Sequence, residues 1–249
     1  MKRFSFSLLI LLYVLMGSAF PAVAAEKLTV AVAANFILPS GEIVALFQER
    51  TGITVEPTYS STGKLYGQIV QGAPYDAFLS ADEARPAQLK EQDLADEPFV
   101  YARGQVVLWT AKKSLQGAAD WQSVVKNPET RKIAIANTES APYGTAAMTA
   151  LEAAGLWEAL KEKYVFPQTV AQAFQYALTE SADAGFCAYS SALSDKAKGG
   201  FFYPVPEAPP IVQAACVLKR TENRPAAEKF AAFLDSPEAK EIKEKYGYR

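Results

Sequence analysis

Strand-like and helix-like segments alternate along most of the chain. Between several apolar runs, apolar residues recur every three or four positions, as on one face of a helix. The strand-like runs, rich in β-branched and aromatic residues, are KLTVAVAA, GITVEPTY, YDAFLSA, QVVLWTA, RKIAIAN, KYVFPQ, GFCAYS and IVQAACVLK. Alternation of this kind predicts an α/β fold whose mostly parallel sheets are flanked by helices.

The two ends of the chain differ from this pattern. Residues 1–24 begin with Lys2 and Arg3, continue as an apolar run and end in small residues, which predicts a secretory signal peptide cleaved after Ala24 or Ala25. The C-terminal segment predicts two short helices that are broken at Ser236-Pro237. We therefore expect an exported protein, most simply one of a bacterial periplasm.

Composition and charge exclude several classes of function. The net charge is −2, and loss of Lys2 and Arg3 with the signal peptide makes it −4, so a nucleic-acid partner is not expected. The absence of histidine excludes His-based triads and His-bound zinc, and we expect no metal bound as a bare cation and no cofactor. The two cysteines, Cys187 and Cys216, predict one disulfide in an oxidising compartment.

Small polar residues stand where predicted strands give way to predicted helices. The junctions contain Asn35, the triplet Ser60–Thr62, the segment Ser140–Gly144 and the pair Thr169–Val170. In a parallel α/β sheet such junctions lie at the carboxyl ends of the strands, where ligands bind. Helix N-termini carry unpaired N–H groups and partial positive charge, which suits an anion. Ordinary N-capping is the alternative explanation for any single junction.

The segment YSSTGK carries two further motif-like spacings. Ser61 and Lys64 match the S-x-x-K of penicillin-recognising enzymes, but the later S-D-N and K-T-G elements are absent. A phosphate-binding Walker loop is also excluded, because Leu65 follows Lys64 and no glycine stands five residues before Gly63. An exported serine hydrolase that uses Ser61 and Lys64 is therefore only a remote alternative.

Several longer stretches resemble, in order and spacing, the periplasmic molybdate-binding proteins of ABC importers. The stretches are LTVAVAANF, YSSTGKLYGQIVQGAPYDAFLSAD, IAIANTESAPYGTAAMTALEAAGLW and FLDSPEAKEIKEKYGY. The resemblance implies a two-lobed periplasmic binding protein of the second topological class (type II), with the ligand cleft between the lobes. It leads us to expect residues 25–104 in lobe 1, 105–204 in lobe 2, and 205–249 as a return strand and helices that complete lobe 1.

The resemblance also implies a set of ligand residues. The first is Asn35, with Ala34 beside it as a candidate backbone donor, and the second is Ser61 or Thr62. The third donor is Tyr143 and the fourth is the backbone N–H of Val170. Some members add a tyrosine hydroxyl after a strand; here Tyr189 lies one residue later, which reverses side-chain direction along a strand, so it is either a ligand or a packing residue.

The function that the resemblance implies is capture of molybdate, and of tungstate as well, for delivery to an ABC transporter permease at the inner membrane. We expect a monomer that is not an enzyme. The alternative within the binding class is a receptor for another tetrahedral oxyanion, such as sulfate or phosphate, because the same donors would serve each of them.

Overall fold

The computed structural model describes residues 27–249, which form an α/β fold with two five-stranded sheets. The predicted signal peptide, residues 1–24, lies outside the described residues. Within residues 27–249 no helix is long and apolar enough to cross a membrane.

The strands and helices follow the alternation that the sequence predicts. The strands are β1 (Lys27–Ala33), β2 (Thr54–Ser60), β3 (Ala77–Leu79), β4 (Phe99–Gly104), β5 (Val106–Thr110), β6 (Ile133–Ala134), β7 (Tyr164–Val165), β8 (Ala184–Ala188), β9 (Phe201–Pro204) and β10 (Ile211–Val217). The α-helices are α1 (Ile37–Thr51), α2 (Thr62–Val70), α3 (Ala84–Glu91), α4 (Trp121–Lys126), α5 (Pro142–Ala153), α6 (Val170–Leu178), α7 (Tyr189–Ala192), α8 (Arg224–Phe233) and α9 (Pro237–Lys245). The predicted break between α8 and α9 is present, and Ser236 caps α9 by accepting a hydrogen bond from the Ala239 N–H.

The two sheets have the same mixed pattern of strand directions. The first has the order β2-β1-β3-β10-β4 and the second β7-β6-β8-β5-β9. In each sheet four of the five strands run in the same direction, which confirms the expectation of mostly parallel sheets. The exceptions are β10 in the first sheet and β5 in the second, each antiparallel to both of its neighbours and each beside a passage between the sheets. A strand reached without a helical crossover does not have to run parallel to its neighbour.

Each sheet has its own hydrophobic core, which makes the molecule two-lobed. In the first lobe Phe47 of α1 packs edge-to-face on Phe230 of α8, with ring centroids 5.2 Å apart. In the second lobe Trp121 of α4 packs on Phe186 of β8, with centroids 5.7 Å apart. The C-terminal helices thus complete the first lobe by burying aromatic side chains against it.

The chain passes between the two sheets at two places. Only Gln105 separates β4 of the first sheet from β5 of the second, and the chain returns between β9 and β10. We keep the predicted domain boundaries, after residues 104 and 204, as a proposal that these two passages support.

The cysteines contradict the predicted disulfide. Cys187 lies in β8 of the second sheet and Cys216 in β10 of the first, and both are free and buried. Each side chain packs into a different hydrophobic cluster, whereas a disulfide requires two adjacent Cβ atoms. Strand-like sequence context around each cysteine therefore did not indicate which sheet the strand joins.

Both thiols are expected to be unreactive until the protein unfolds. Burial raises the pKa of Cys187 well above its usual range and that of Cys216 to about 12, so the reactive thiolate is scarce near pH 8. A thiol reagent should count two thiols in denaturant and close to none in native protein, and a reductant should leave the melting temperature unchanged. Absence of free thiols in denaturant, with a melting temperature that falls in reductant, would show instead that the two cysteines form a disulfide.

Candidate functional site

A small recess lies between the two lobes at the ends of their strands. Its cavity volume is only about 10 Å³, close to what one water-sized sphere needs and far below the roughly 300–1,000 Å³ of a pocket for a drug-sized ligand. Its lining residues are Ala33, Ala34, Asn35, Ser61, Thr62, Ala81, Ala141, Pro142, Tyr143 and Val170. The structure therefore brings Ala34, Asn35, Ser61, Thr62, Tyr143 and Val170, all candidates from the sequence, around one space.

The recess is built from four junctions between a strand and a helix. In the first lobe, β1 leads through a 3-10 turn at Ala34–Phe36 into α1, and the neighbouring parallel strand β2 leads into α2. In the second lobe, the parallel pair β6 and β7 leads into α5 and α6. Parallel neighbours end at the same edge of their sheet, so each lobe places two helix N-termini beside the recess.

Three helix starts leave main-chain N–H groups free at the recess. Thr62, Tyr143 and Val170 lie in the first turns of α2, α5 and α6, where N–H groups have no partner within the helix. Among residues 27–249 no other group accepts a hydrogen bond from these three N–H groups. Together with the partial positive charge of helix N-termini, they form a set of donors suited to an anion.

The recess contains no group that ionises near neutral pH. None of the residues that line it is Asp, Glu, Lys or Arg, and Lys64, next to it in the chain, is exposed. Burial holds the pKa of the Tyr143 phenol well above its usual range, so this side chain stays neutral. An anion in the recess would be bound by neutral donors alone.

The serine at the start of α2 is not paired with the lysine that a hydrolase would need. Ser61 is 3% exposed, and its Oγ accepts a hydrogen bond from Gln168 Nε2 at 3.1 Å. Lys64 is exposed and has no hydrogen bond to Ser61 Oγ among the described residues. The geometry gives the remote hydrolase alternative no support.

The side chain of Asn35 is held by a buried polar network. Its Nδ2 donates to Gln213 Oε1 at 2.7 Å and to Tyr248 Oη at 3.2 Å, which uses both amide hydrogens. Its main-chain oxygen accepts from Tyr248 Oη at 2.7 Å and from Ser190 Oγ at 3.1 Å. The amide therefore has no free donor for a ligand, and the main chain of the turn is what Asn35 can offer.

This network reaches the passage between the lobes at Gly104. The Tyr143 hydroxyl and Gln213 Nε2 are buried without a hydrogen-bond partner among the described residues. A Cβ on Gly104 would overlap Tyr143 Oη and lie 2.8 Å from Gln213 Nε2, so only glycine leaves room for both. Tyr143 thus connects the recess to the end of β4.

Tyr189 is the one candidate that the structure does not place at the recess. Strand β8 ends at Ala188, so Tyr189 begins the short helix α7, and its ring packs against Phe202 with centroids 5.3 Å apart. The one-residue shift in the sequence thus moves the tyrosine beyond the strand.

Sequence reasoning missed the polar residues behind the recess. Gln168 and Gln213 each hold a side chain that lines it, Ser61 and Asn35 respectively. The single available signal was Gln213, a polar residue inside the apolar run IVQAACVL. Gln168 lies 107 residues from Ser61 in the chain, so no local pattern could have connected them.

Comparison with known proteins agrees with this geometry. The family model described as bacterial extracellular solute-binding protein matches residues 28–249. The chain is 41% identical to the molybdate-binding protein ModA of Rhodobacter capsulatus, over 95% of this chain and 93% of that one. It is 39% identical to ModA of Azotobacter vinelandii, over 95% and 96% respectively.

Solved structures share the fold. The periplasmic molybdate-binding protein of Azotobacter vinelandii superposes with a TM-score of 0.83 at 36% identity, covering 89% of this chain and 98% of that one. The sulfate-binding protein SubI of Mycobacterium tuberculosis gives a TM-score of 0.75 at 15% identity, covering 90% and 86%. At that identity the likeness shows the fold alone.

We expect Gly104→Ala to destabilise the protein by disturbing the contact between Tyr143, which lines the recess, and Gly104 at the end of β4. The added Cβ would overlap the Tyr143 hydroxyl, and overpacking of this kind costs about 1–3 kcal/mol of unfolding free energy. Urea unfolding measures the change. Gly41→Ala is the control, because Gly41 is exposed in α1 with no atom within 4 Å of an added Cβ, and alanine there favours the helix. Equal stability of the two variants would contradict the close approach of the Tyr143 hydroxyl to Gly104.

Proposed function

The chain belongs to the bacterial extracellular solute-binding proteins and, within them, to the molybdate-binding proteins, and we propose that it captures molybdate for an ABC importer. The observation that carries the proposal is the recess between the lobes, where unpaired N–H groups of three helix N-termini meet without any charged side chain. A tetrahedral oxyanion matches such a site in charge and in its need for hydrogen-bond donors.

The binding groups follow from the contacts at the recess. Main-chain N–H groups of Thr62, Tyr143 and Val170 donate to the oxyanion, and the Ala34–Asn35 turn adds its main chain. The hydroxyls of Ser61 and Thr62 are further donors: Ser61 Oγ accepts from Gln168 and Thr62 Oγ1 accepts from the Ala81 N–H at 3.0 Å. Because each hydroxyl oxygen already accepts a bond from the protein, each hydroxyl hydrogen is available to the ligand.

The number of donors is sufficient for tight binding. Each charge-assisted hydrogen bond contributes roughly 1.5–3 kcal/mol. Five to seven of them, offset by desolvation and by lost freedom of motion, leave a net of about −8 to −12 kcal/mol, or dissociation constants from about micromolar to nanomolar. Neutral donors also suit release, because no buried counter-charge is stranded when the transporter opens the lobes.

Sulfate is the alternative ligand for a binding protein of this kind. Sulfate is also a tetrahedral dianion, and the sulfate-binding protein SubI shares this fold, so neither fold nor donor type separates the two. The identity to molybdate-binding relatives over nearly the whole chain favours molybdate, with tungstate as a second ligand of the same shape.

The same relatives support a proposal for where the protein acts. The Azotobacter vinelandii structure is that of a periplasmic protein, and residues 1–24 of this chain have the pattern of a signal peptide. We place this protein in the periplasm, as a monomer that delivers its ligand to the permease of an ABC transporter.

Titration calorimetry of the chain without residues 1–24 tests the proposal. We expect one-to-one binding of molybdate and tungstate with dissociation constants at or below about 1 µM, and sulfate and phosphate should bind at least a hundredfold more weakly. Tight binding of sulfate or phosphate alone would assign a different cargo to the same recess. No binding of any of the four anions would refute the proposed function.

A further inference from the structure

The side chain of Gln168 reaches across the cleft to the recess. Gln168 belongs to the second lobe, where it directly precedes Thr169, the N-cap of α6. Its Nε2 donates to Ser61 Oγ of the first lobe at 3.1 Å and to Ser140 Oγ of its own lobe at 3.0 Å. Gln168 does not line the recess itself, so it would act on a ligand only through Ser61.

The direction of these hydrogen bonds is fixed by the main chain. Asn137 Oδ1 accepts the N–H groups of Glu139 and Ser140 at 3.1 and 2.9 Å, so this atom is the amide oxygen. Ser140 Oγ lies 2.9 Å from the same oxygen and therefore donates its hydrogen to it. Ser140 Oγ can then only accept from Gln168, which turns Nε2 rather than Oε1 toward both serines.

The hydrogen bonds from Gln168 Nε2 to the two serine hydroxyls, called the relay below, determine whether Ser61 presents a hydrogen or lone pairs to a ligand. Because Ser61 Oγ accepts from Gln168, its own hydrogen is not used in that bond and is free to point into the recess. If the amide were turned around, Gln168 Oε1 would attract that hydrogen and Ser61 would present lone pairs to the ligand. An oxyanion is attracted by the first arrangement and repelled by the second.

The contact exists only when the two lobes are together. Two further bonds cross the cleft beside it: the Gly63 N–H donates to the Ser140 carbonyl oxygen at 2.8 Å, and Arg85 Nη2 donates to that of Glu139 at 3.0 Å. Gly63 and Arg85 belong to the first lobe, and Ser140 and Glu139 to the second. Closure therefore brings the relay onto Ser61 at the same time as it encloses the recess.

We propose that Gln168 is a positioning residue which, on closure of the lobes, orients the Ser61 hydroxyl as a hydrogen-bond donor to the bound oxyanion. The inference rests on the proposed function of the recess and adds a residue to it that does not touch the ligand. The site should therefore prefer fully deprotonated oxyanions. A protonated oxyanion carries a hydrogen that needs an acceptor, whereas the oriented Ser61 hydroxyl presents a hydrogen.

Two substitutions separate orientation from simple packing. Gln168→Leu removes the donor and leaves the Ser61 hydroxyl unoriented, so molybdate affinity should fall about tenfold. Gln168→Glu at pH 8 places an acceptor beside Ser61, so the hydroxyl should turn away from the ligand and affinity should fall on the order of a hundredfold or more. Both losses should appear in the dissociation rate, because Gln168 meets Ser61 only after closure.

The pH dependence gives the readout that a merely structural role would not produce. Protonation turns the carboxyl group introduced by Gln168→Glu into a hydrogen-bond donor, so the loss of affinity in this variant relative to the parent protein should shrink as pH falls from 8 to 5.5. Gln168→Leu should show a constant ratio to the parent protein over the same range. Gln92→Leu and Gln92→Glu are matched controls, because Gln92 is exposed and its side chain bonds only Tyr66 Oη among the described residues.

The outcomes distinguish this inference from the proposed function. If the parent protein binds molybdate and both Gln168 variants bind it as tightly, the inference is wrong and the proposed function stands. If both variants lose affinity equally and without pH dependence, Gln168 only packs, and orientation is refuted. A parent protein that binds no oxyanion refutes both. Melting temperatures near that of the parent protein confirm that a loss is not caused by unfolding.

Discussion

The structure depends on one physical constraint, which is that the first N–H groups of a helix have no partner within the helix. In most proteins side-chain caps or water satisfy them. Here α2 and α5 start without a side-chain cap, and the first N–H groups of α2, α5 and α6 meet in a recess too small for most organic ligands. Such an arrangement is satisfied best by a small anion, and the two-lobed fold supplies it by ending two parallel strands of each lobe at the cleft.

Hydrogen bonds from residues that lie behind the recess explain how a site without charged side chains can be well ordered. Asn35 is held by Gln213 and Tyr248 of its own lobe before a ligand arrives, and Ser61 is held by Gln168 once the lobes close. Preorganisation of this kind reduces the entropy that binding must overcome. Because these contacts join groups from both lobes or lie beside Gly104, the same residues that arrange the donors also stabilise the closed arrangement.

Local pattern predicted the parts of the structure that local sequence determines. The strand-to-helix junctions at Asn35, Ser61 and Val170 could be located because apolar periodicity changes there and small polar residues mark the change. Strand direction beside the passages, the separation of Cys187 from Cys216 and the relay through Gln168 depend on which distant segments become neighbours. These features depend on contacts between segments that are far apart in the chain, and local patterns in a single sequence contain no signal for them.

The most direct test of this account is a crystal structure of the protein grown with molybdate, with the molybdenum located by its anomalous scattering. The account predicts one molybdenum atom in the recess, with oxygens within about 3.2 Å of the main-chain nitrogens of Thr62, Tyr143 and Val170 and no Lys or Arg side chain in contact. An anion bound elsewhere, or one held in the recess by a charged side chain, would contradict it.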